Sequence, residues 1–531
     1  MNSNWSYIKE HIEEFPEYKS AIFEQGFLVS NTACEFGEGF PYYGNWREMP
    51  LCEGAYLYLH KNQKAYVLNK NGAAYFLIGH AYDPFGSEFD ENRLLEKFAE
   101  ISDGDMEKGL TYLNDWTGLF AFGILSGGGF ALCGDFESMR SAYYGKVGDR
   151  WYISSHEELT AMREELTRDE YVGRLEGYRW YYLYGEGLPG DISHYTELRK
   201  VMCNNYVIFD GENFKNVRMW PREPVKMCET EEDYKAAVAE IAGIMKKSVE
   251  LILEKWDRAA VSTTGGRDSK GTLAACAHLK DRFQFYSYNS QLAEKIDCDA
   301  AEKICEAVGA KHTTYDIPLD KSVYPEYDLV KALLCVNSNR RRFNHNDIMK
   351  RIFFRKGNFF DVELKSWTSE IGRAFCYQRY GVKRMQKKCT PRRVNAINNI
   401  FLFNPPLMYE TDKKYGEYLE KTELNEHMFN YDWSDIIDIE QRDSRWGADV
   451  ISCEHMFSHD VTVPYNNRHL SDIMLRVPLE YRIKDKTHID FTNLLCPAIG
   501  EANISVKDYA HDTKRMWMDK IYYFITSVRP F

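Results

Sequence analysis

The chain of 531 residues carries 67 Lys+Arg against 80 Asp+Glu, a formal charge of −13, and is 44% apolar, 28% charged and 15% aromatic. That composition excludes a disordered or low-complexity chain, and the length argues for more than one domain with substantial cores. The acidic balance argues against a nucleic-acid scaffold, which needs a basic field to gather phosphates. The longest apolar stretch, Trp116 to Leu132, is broken by Ser126-Gly127-Gly128-Gly129 and reads as two strands and a turn, so no membrane span is expected. The opening residues carry Lys9, Glu10, Glu13, Glu14, Glu17 and Lys19 without the apolar core of a secretion signal, and a cytoplasmic protein is expected. Thirteen cysteines, without CxxC pairs or zinc spacing, read as reduced core thiols.

In chain order, Ala55–His60, Ala65–Leu68 and Ala73–Gly79 are short runs rich in Tyr, Val and Leu. The last two flank Asn69-Lys70-Asn71-Gly72, a turn with residues that accept positive φ. A helix is predicted at Glu91–Glu100. Gly118–Leu125 and Phe130–Gly134 form a second hairpin and Trp151–Ser154 another strand, so this part is read as α+β with mostly antiparallel strands. Met219-Trp220-Pro221-Arg222-Glu223-Pro224 favours an extended connector, which divides the chain into domains of residues 1–222 and 223–531. Thr230, three residues before Asp233, is an N-cap signal for a helix with the apolar face Tyr234, Ala237, Val238, Ile241, Met245, Val249 and Ile252. Strands at Ala259–Thr263, Phe283–Asn289 and Lys311–Ile317 then alternate with helices from Lys270 and around Asp299–Val308. This alternation predicts a parallel sheet covered by helices. Beyond residue 330 the pattern is mainly helical, with no internal repeat.

Residues 261–272 read V-S-T-T-G-G-R-D-S-K-G-T, a strand that ends in two glycines and enters a helix with Asp268 and Ser269 at its start. Such a turn directs backbone N–H groups and the positive end of a helix outward, and phosphate is the expected anion. Gly265 and Gly266 present no Cβ to phosphate oxygens, Thr264 and Ser269 offer hydroxyls, and Asp268 is a hard oxygen ligand for Mg²⁺. Gly266 to Gly271 has G-x-x-x-x-G spacing, but Thr272-Leu273 follow where a Walker loop needs Lys and Ser/Thr, so a P-loop is excluded. The competing reading is a tight turn whose Asp268 and Ser269 only cap the helix.

Thr264-Gly265-Gly266-Arg267-Asp268-Ser269 resembles the S-G-G-x-D-S pyrophosphate loop of the asparagine synthetase superfamily, with Thr in place of the first Ser. The resemblance continues in Asn114-Asp115-Trp116-Thr117-Gly118-Leu119-Phe120-Ala121-Phe122, Gly134-Asp135, Ala142-Tyr143-Tyr144 and Ile153-Ser154-Ser155, which are similar to that family's glutaminase-type domain. Downstream it includes Asp297-Cys298-Asp299-Ala300-Ala301, Gly309-Ala310-Lys311-His312, Val463-Pro464-Tyr465-Asn466-Asn467-Arg468 and Val477-Pro478. The resemblance implies an α+β glutaminase-like sandwich of the N-terminal-nucleophile type. It implies that an α/β adenine-nucleotide-binding synthetase domain follows, with a parallel sheet and added helices. It also implies ATP and Mg²⁺ as cofactors, with ATP held by Ser262, Thr264, Gly265, Gly266, Asp268, Ser269 and Arg373.

The departures from the family pattern are chemical. A working glutaminase of this family exposes a terminal cysteine after Met1, whereas this chain has Asn2, which supplies no thiolate. Cys34 could serve only after removal of a long leader, so the first domain is expected to be structural, as in the beta-lactam synthetases and lasso peptide cyclases that this chain also resembles. The second family motif, S-G-E-G-A-D-E, has its counterpart in Ser366-Trp367-Thr368-Ser369-Glu370-Ile371-Gly372-Arg373. There Glu370 is the implied second metal ligand beside Asp268, and Arg373 a donor fork for phosphate; the local alternative is an N-cap at Ser369. The family's late lysine falls in Arg482-Ile483-Lys484-Asp485-Lys486-Thr487-His488-Ile489, which makes Lys486 or a protonated His488 the candidate catalytic cation. Arg340-Arg341-Arg342, near His345, is a further basic cluster, read either as facing phosphate or as a solvated face.

The leading expectation is an ATP-dependent ligase that adenylates a carboxylate and passes the acyl group to an amine without hydrolysing glutamine. A scaffold that keeps the fold without turnover is the alternative, and sulfur transfer is disfavoured because no catalytic cysteine pair is evident. Expected partners are a small molecule or peptide bearing a carboxylate and an amine, and a second copy of the chain in a homodimer, with neither nucleic acid nor membrane.

Overall fold

The computed structural model describes residues 3–103, 105–181, 187–338, 343–385, 388–399, 401–451, 457–504, 506 and 513–529. Twelve described strands precede the Trp220-Pro221 connector: β1 (Phe27–Ser30), β2 (Trp46–Cys52), β3 (Ala55–His60), β4 (Ala65–Lys70), β5 (Ala73–Tyr82), β6 (Thr117–Ser126), β7 (Gly129–Gly134), β8 (Tyr143–Val147), β9 (Arg150–Ser154), β10 (Leu198–Lys200), β11 (Asn205–Phe209) and β12 (Phe214–Arg218). They form two six-stranded sheets, ordered β10-β8-β9-β1-β3-β2 and β12-β11-β7-β6-β5-β4. All their pairings are antiparallel, with Val29 opposite Leu57 and Leu77 opposite Phe122. The sheets face each other across one apolar layer, in which Val29, Leu57 and Ile153 of the first meet Phe76, Ile78 and Val207 of the second.

β5 and β6 are buried along almost their whole length because both faces of their sheet are covered. Phe76 and Ile78 point to the first sheet, while Leu77, Phe120 and Phe122 face the helix Glu91–Ile101 and the long helix Glu231–Lys255. Two covered faces explain why these strands read as continuous apolar runs instead of alternating. Asn71 (φ 54°) and Gly72 (φ 77°) make the β4–β5 turn, and two positive-φ residues are what a tight hairpin of the right twist requires.

The helix Glu231–Lys255 opens with the capping box read from the sequence: Asp233 N–H donates to Thr230 Oγ1 at 3.1 Å and Thr230 N–H to Asp233 Oδ2 at 3.0 Å. Then come β13 (Ala259–Ser262), β14 (Phe283–Asn289), β15 (His312–Asp316), β16 (Val362–Leu364) and β17 (Asp460–Thr462), a parallel sheet ordered β15-β14-β13-β16-β17. The chain is thus mixed α/β, with antiparallel sheets followed by a five-stranded parallel one. The expected helices begin earlier than read, at Arg267 and at Leu292.

Among the elements that the sequence reading does not contain, three bear on the site or the core. β16 and β17 have three residues each, too few to show a period, and they lie in the part read as helical. The third is the helix Ser3–His11, whose Trp5 and Ile8 are buried with Tyr327, Val330 and Leu334 of the helix Tyr327–Asn337. No described helix is long and apolar enough to cross a membrane, and the twelve described cysteines are all free.

Candidate active site

The strand order of the parallel sheet reverses at β13, with β14 on one side and β16 on the other. In such sheets the loops leaving the two central strands diverge and open a crevice at their carboxyl ends. Here that crevice is a cavity of about 270 Å³, lined after β13 by Thr264, Gly266, Asp268 and Ser269 and after β16 by Lys365, Trp367, Thr368 and Glu370. Ser262, Ser366 and, from the π-helical segment Asp438–Gly447, Arg442, Asp443 and Trp446 complete the wall. The glycine turn and the Ser366–Arg373 segment, nearly a hundred residues apart in sequence, therefore share one cavity.

The turn is held from within. Thr264 Oγ1 and Ser269 Oγ lie 2.9 Å apart, Gly266 N–H donates to Thr264 Oγ1 at 3.2 Å, and Gly265 N–H donates to Asp297 Oδ1 at 3.2 Å. The helix Arg267–Cys276 starts at Gly266 with no side chain capping it, so its first amide N–H groups are open to an anion. The two glycines differ in purpose. A Cβ on Gly265 would stand 2.0 Å from Val506 Cγ2 and 3.1 Å from Ala300 Cβ, whereas on Gly266 it would meet Thr264 Oγ1 at 3.2 Å and Ser269 Oγ at 4.0 Å. Gly265 is thus required by packing, a reason separate from the expected approach of phosphate oxygens. Gly266 remains next to the open helix terminus.

Asp268 is the centre of a network. Its Oδ1 accepts from Ser369 Oγ at 2.5 Å and its Oδ2 from Arg373 Nη1 at 2.6 Å, while Arg373 Nε donates to Asp485 Oδ1 at 2.9 Å. Burial pushes the Asp268 carboxyl up from its ordinary value, and Arg373 opposes that shift. Arg373, expected to face phosphate, is instead spent between two carboxylates and is absent from the cavity wall. Ser369, read as a local cap, bridges to Asp268 as well as to Ser366 O at 2.9 Å.

Glu370 pairs with Arg442, which also holds Asp438 (2.6 Å) and Asp443 (3.2 Å). Among the described residues, the carboxylates that converge closely enough to share a cation are Glu370, Asp438 and Asp443; Asp268 is not one of them. Glu370 is kept ionised, its pKa lowered by Arg442 against the opposing effect of burial. Beside Asp443 and Thr368 lies the buried Glu137 of the antiparallel half, whose carboxyl is pushed well above its usual range by burial and then by the charge of Asp443. Thr368 at φ 70° and Ala374 at φ 51° hold non-glycine residues in the left-handed region at either end of the Glu370 segment, at about 1–3 kcal/mol each.

Of the two candidates for the catalytic cation in the late sequence, Lys486 lies away from the cavity and His488 is uncharged. Lys486 Nζ donates to Asp490 Oδ2 at 2.7 Å and lies 3.8 Å from the centroid of the Tyr234 ring, outside the cavity wall. His488 does reach the site, with Nε2 3.7 Å from Asp268 Oδ1, but it is not a cation. It is wholly buried, and desolvation followed by the charge of Arg373 lowers its pKa to about 3. Gly372 exists for this neighbour: a Cβ there would stand 2.9 Å from His488 Cε1. The basic side chains that line the cavity are Lys365, which pairs with Glu363 at 2.6 Å, and Arg442. Both were missed, Lys365 although it adjoins the quoted Ser366 motif and Arg442 because nothing local marks it.

Cys34 is half-buried, its thiol donates to Thr32 O at 3.4 Å, and burial raises its pKa, the reverse of an activated nucleophile. His345 contacts Tyr327 and Leu319 and is no part of this site. Asn2, Arg340, Arg341 and Arg342 lie outside the described residues.

No protein-family model matches the chain, and no curated protein matches it. Solved structures do. A glutamine phosphoribosylpyrophosphate amidotransferase from B. subtilis, complexed with ADP and GMP, is 10% identical over 62% of this chain and 90% of its own, with a TM-score of 0.23. A structure described as the allosteric regulatory enzyme of purine biosynthesis is 12% identical over 58% and 61%, with a TM-score of 0.23. A glutamine-dependent NAD⁺ synthetase from Acinetobacter baumannii, in complex with ADP, is 14% identical over 40% and 43%, with a TM-score of 0.19. This chain thus spans less than two thirds of the last two. Scores this low fall well short of a shared overall fold, so the functional reading rests on the site and the motifs.

Proposed function

We propose that the chain is an ATP-dependent carbon–nitrogen ligase that adenylates a carboxylate and transfers the acyl group to an amine, without hydrolysing glutamine. The observation that carries this reading is the shared cavity, in which an uncapped helix N-terminus after β13 faces Lys365 and Glu370 after β16. That pairing suits a polyphosphate, since one wall supplies amide N–H groups and the other an ammonium.

The residues fit ATP and Mg²⁺ to different degrees. Amide groups of the Arg267–Cys276 helix, Thr264, Gly266 and Ser269 would hold phosphate, with Lys365 facing the same oxygens. Glu370, with Asp438 and Asp443, would hold a divalent ion where Arg442 now neutralises them, and Asp268 would join only if Arg373 let it go. When bound, the ion would screen the charge of the phosphates.

In the first step a carboxylate oxygen attacks the α-phosphorus, the bond to the bridging oxygen of the β-phosphate breaks, and pyrophosphate leaves. In the second an amine nitrogen attacks the acyl carbon, the acyl–oxygen bond breaks, AMP leaves, and the proton released from nitrogen passes to the departing phosphate or to water. Trp367 and Trp446, with ring centroids 5.1 Å apart, make the apolar side of the cavity and limit water. Chromatography of the nucleotide products tests the reading: AMP and pyrophosphate support it, ADP and phosphate overturn it, and glutamate formed from glutamine overturns the amine assignment.

A scaffold without turnover has one observation in its favour: Arg373 and Arg442 already neutralise the carboxylates expected to bind metal. Absence of any nucleotide turnover together with tight nucleotide binding would favour it.

A further inference from the structure

The helix Thr513–Val528 is anchored along the side that carries Asp519, Tyr522 and Tyr523. Asp519 accepts from Arg379 Nε at 3.0 Å, Tyr522 OH donates to Asn399 O at 2.6 Å, and Tyr523 packs on Tyr380 with ring centroids 5.1 Å apart. The opposite side exposes Trp517 (61%), Met518 (41%), Ile521 (52%), Phe524 (56%), Ile525 (52%) and Val528 (55%). These are six of the sixteen large exposed apolar residues among those described, so the concentration is local; scattered single ones would need no explanation.

We propose that this face is a homodimer interface, on which the same helix of a second copy packs antiparallel about a twofold axis passing between Ile521 and Phe524. The sequence supports the choice of occupant. Trp517 and Phe524, Met518 and Ile525, and Ile521 and Val528 are each seven residues apart, the repeat that keeps an apolar seam facing a partner helix. Antiparallel pairing sets the largest residue, Trp517, against the smallest, Val528, and Ile521 against Phe524, so the two seams are complementary in volume. The exposed apolar area of the six side chains is on the order of 600 Å², and Phe403, 59% exposed beside the Tyr522 ring, extends it toward the roughly 800 Å² per partner of a stable interface. A bilayer is the less suitable occupant. The polar face that an interfacial helix turns to water is here packed on the protein, and a molecule of charge −13 is repelled by an anionic leaflet.

Sedimentation equilibrium of the full chain at micromolar concentration tests this. The wild type should sediment at twice 62.2 kDa and Ile521→Asp/Phe524→Asp at 62.2 kDa with an unchanged far-UV circular dichroism spectrum, a loss of affinity of about a hundredfold or more. Trp517→Val should weaken the dimer, and adding Val528→Trp should restore it only if the helices run antiparallel. A wild-type monomer, or a dimer that survives the double substitution, overturns the proposal. So does a monomeric wild type that pellets with phosphatidylcholine–phosphatidylglycerol vesicles while the double variant does not, an outcome that assigns the face to a bilayer.

Discussion

Asp268 shows how one residue can be both support and reagent. Its two oxygens tie the glycine turn to Ser369 and Arg373, so the carboxylate positions the second wall of the cavity whatever it later binds. Asp268→Asn keeps the shape and removes the charge, and it should lower nucleotide turnover by at least a hundredfold while leaving the circular dichroism spectrum intact; full activity in that variant would remove Asp268 from the chemistry. His488 is the opposite case, a group whose position was legible and whose charge was not. With a pKa near 6.5 in the unfolded chain and about 3 in the fold, it takes up a proton on unfolding as pH falls below 6.5, so the folded state loses stability in that window and keeps it above. Between pH 7 and pH 5, His488→Gln should lose roughly 2 kcal/mol less stability than the wild type in urea titrations. Equal losses would mean that the imidazole is not held neutral.

At the scale of elements, the parts read correctly have local signals. The Thr230 capping box, the Asn71-Gly72 turn and the Gly-Gly-Arg-Asp-Ser entry to a helix are each written within a few residues. What was missed is made by distance. β16 is too short to show a pattern, yet its position beside β13 brings Lys365 and Glu370 to the turn. Arg442, in the π-helical segment, has no local mark and gains its meaning from Glu370, Asp438 and Asp443, all supplied by the fold. Removing that guanidinium strands buried carboxylates, and Arg442→Met should cost about 3–5 kcal/mol in chemical denaturation. A cost near zero would show that the cluster is solvated or already protonated.

Over the whole molecule, the antiparallel and parallel parts are joined by a short segment read from sequence only as a family-like motif. Asn466 Nδ2 donates to Gly118 O at 2.7 Å and to Asp135 Oδ1 at 2.9 Å, and Arg468, 1% exposed, donates to Asn204 Oδ1 at 3.0 Å, Gly134 O at 3.0 Å and Asp135 O at 3.1 Å. One apolar core also runs from Phe98 and Phe120 to Ile241, Val261 and Leu364. Such coupling predicts a single calorimetric transition, which Arg468→Ala should split or broaden by leaving buried acceptors without a donor. Unchanged cooperativity would place the coupling in the apolar core alone.

If the crevice at β13 activates a carboxylate with ATP, exchange of labelled pyrophosphate into ATP measures that step without knowledge of the amine. With Mg²⁺ and a panel of carboxylic acids, exchange should appear with at least one acid, require the metal, and vanish in Asp268→Ala. Exchange that is independent of added acid, or that proceeds at the wild-type rate in Asp268→Ala, would contradict that reading.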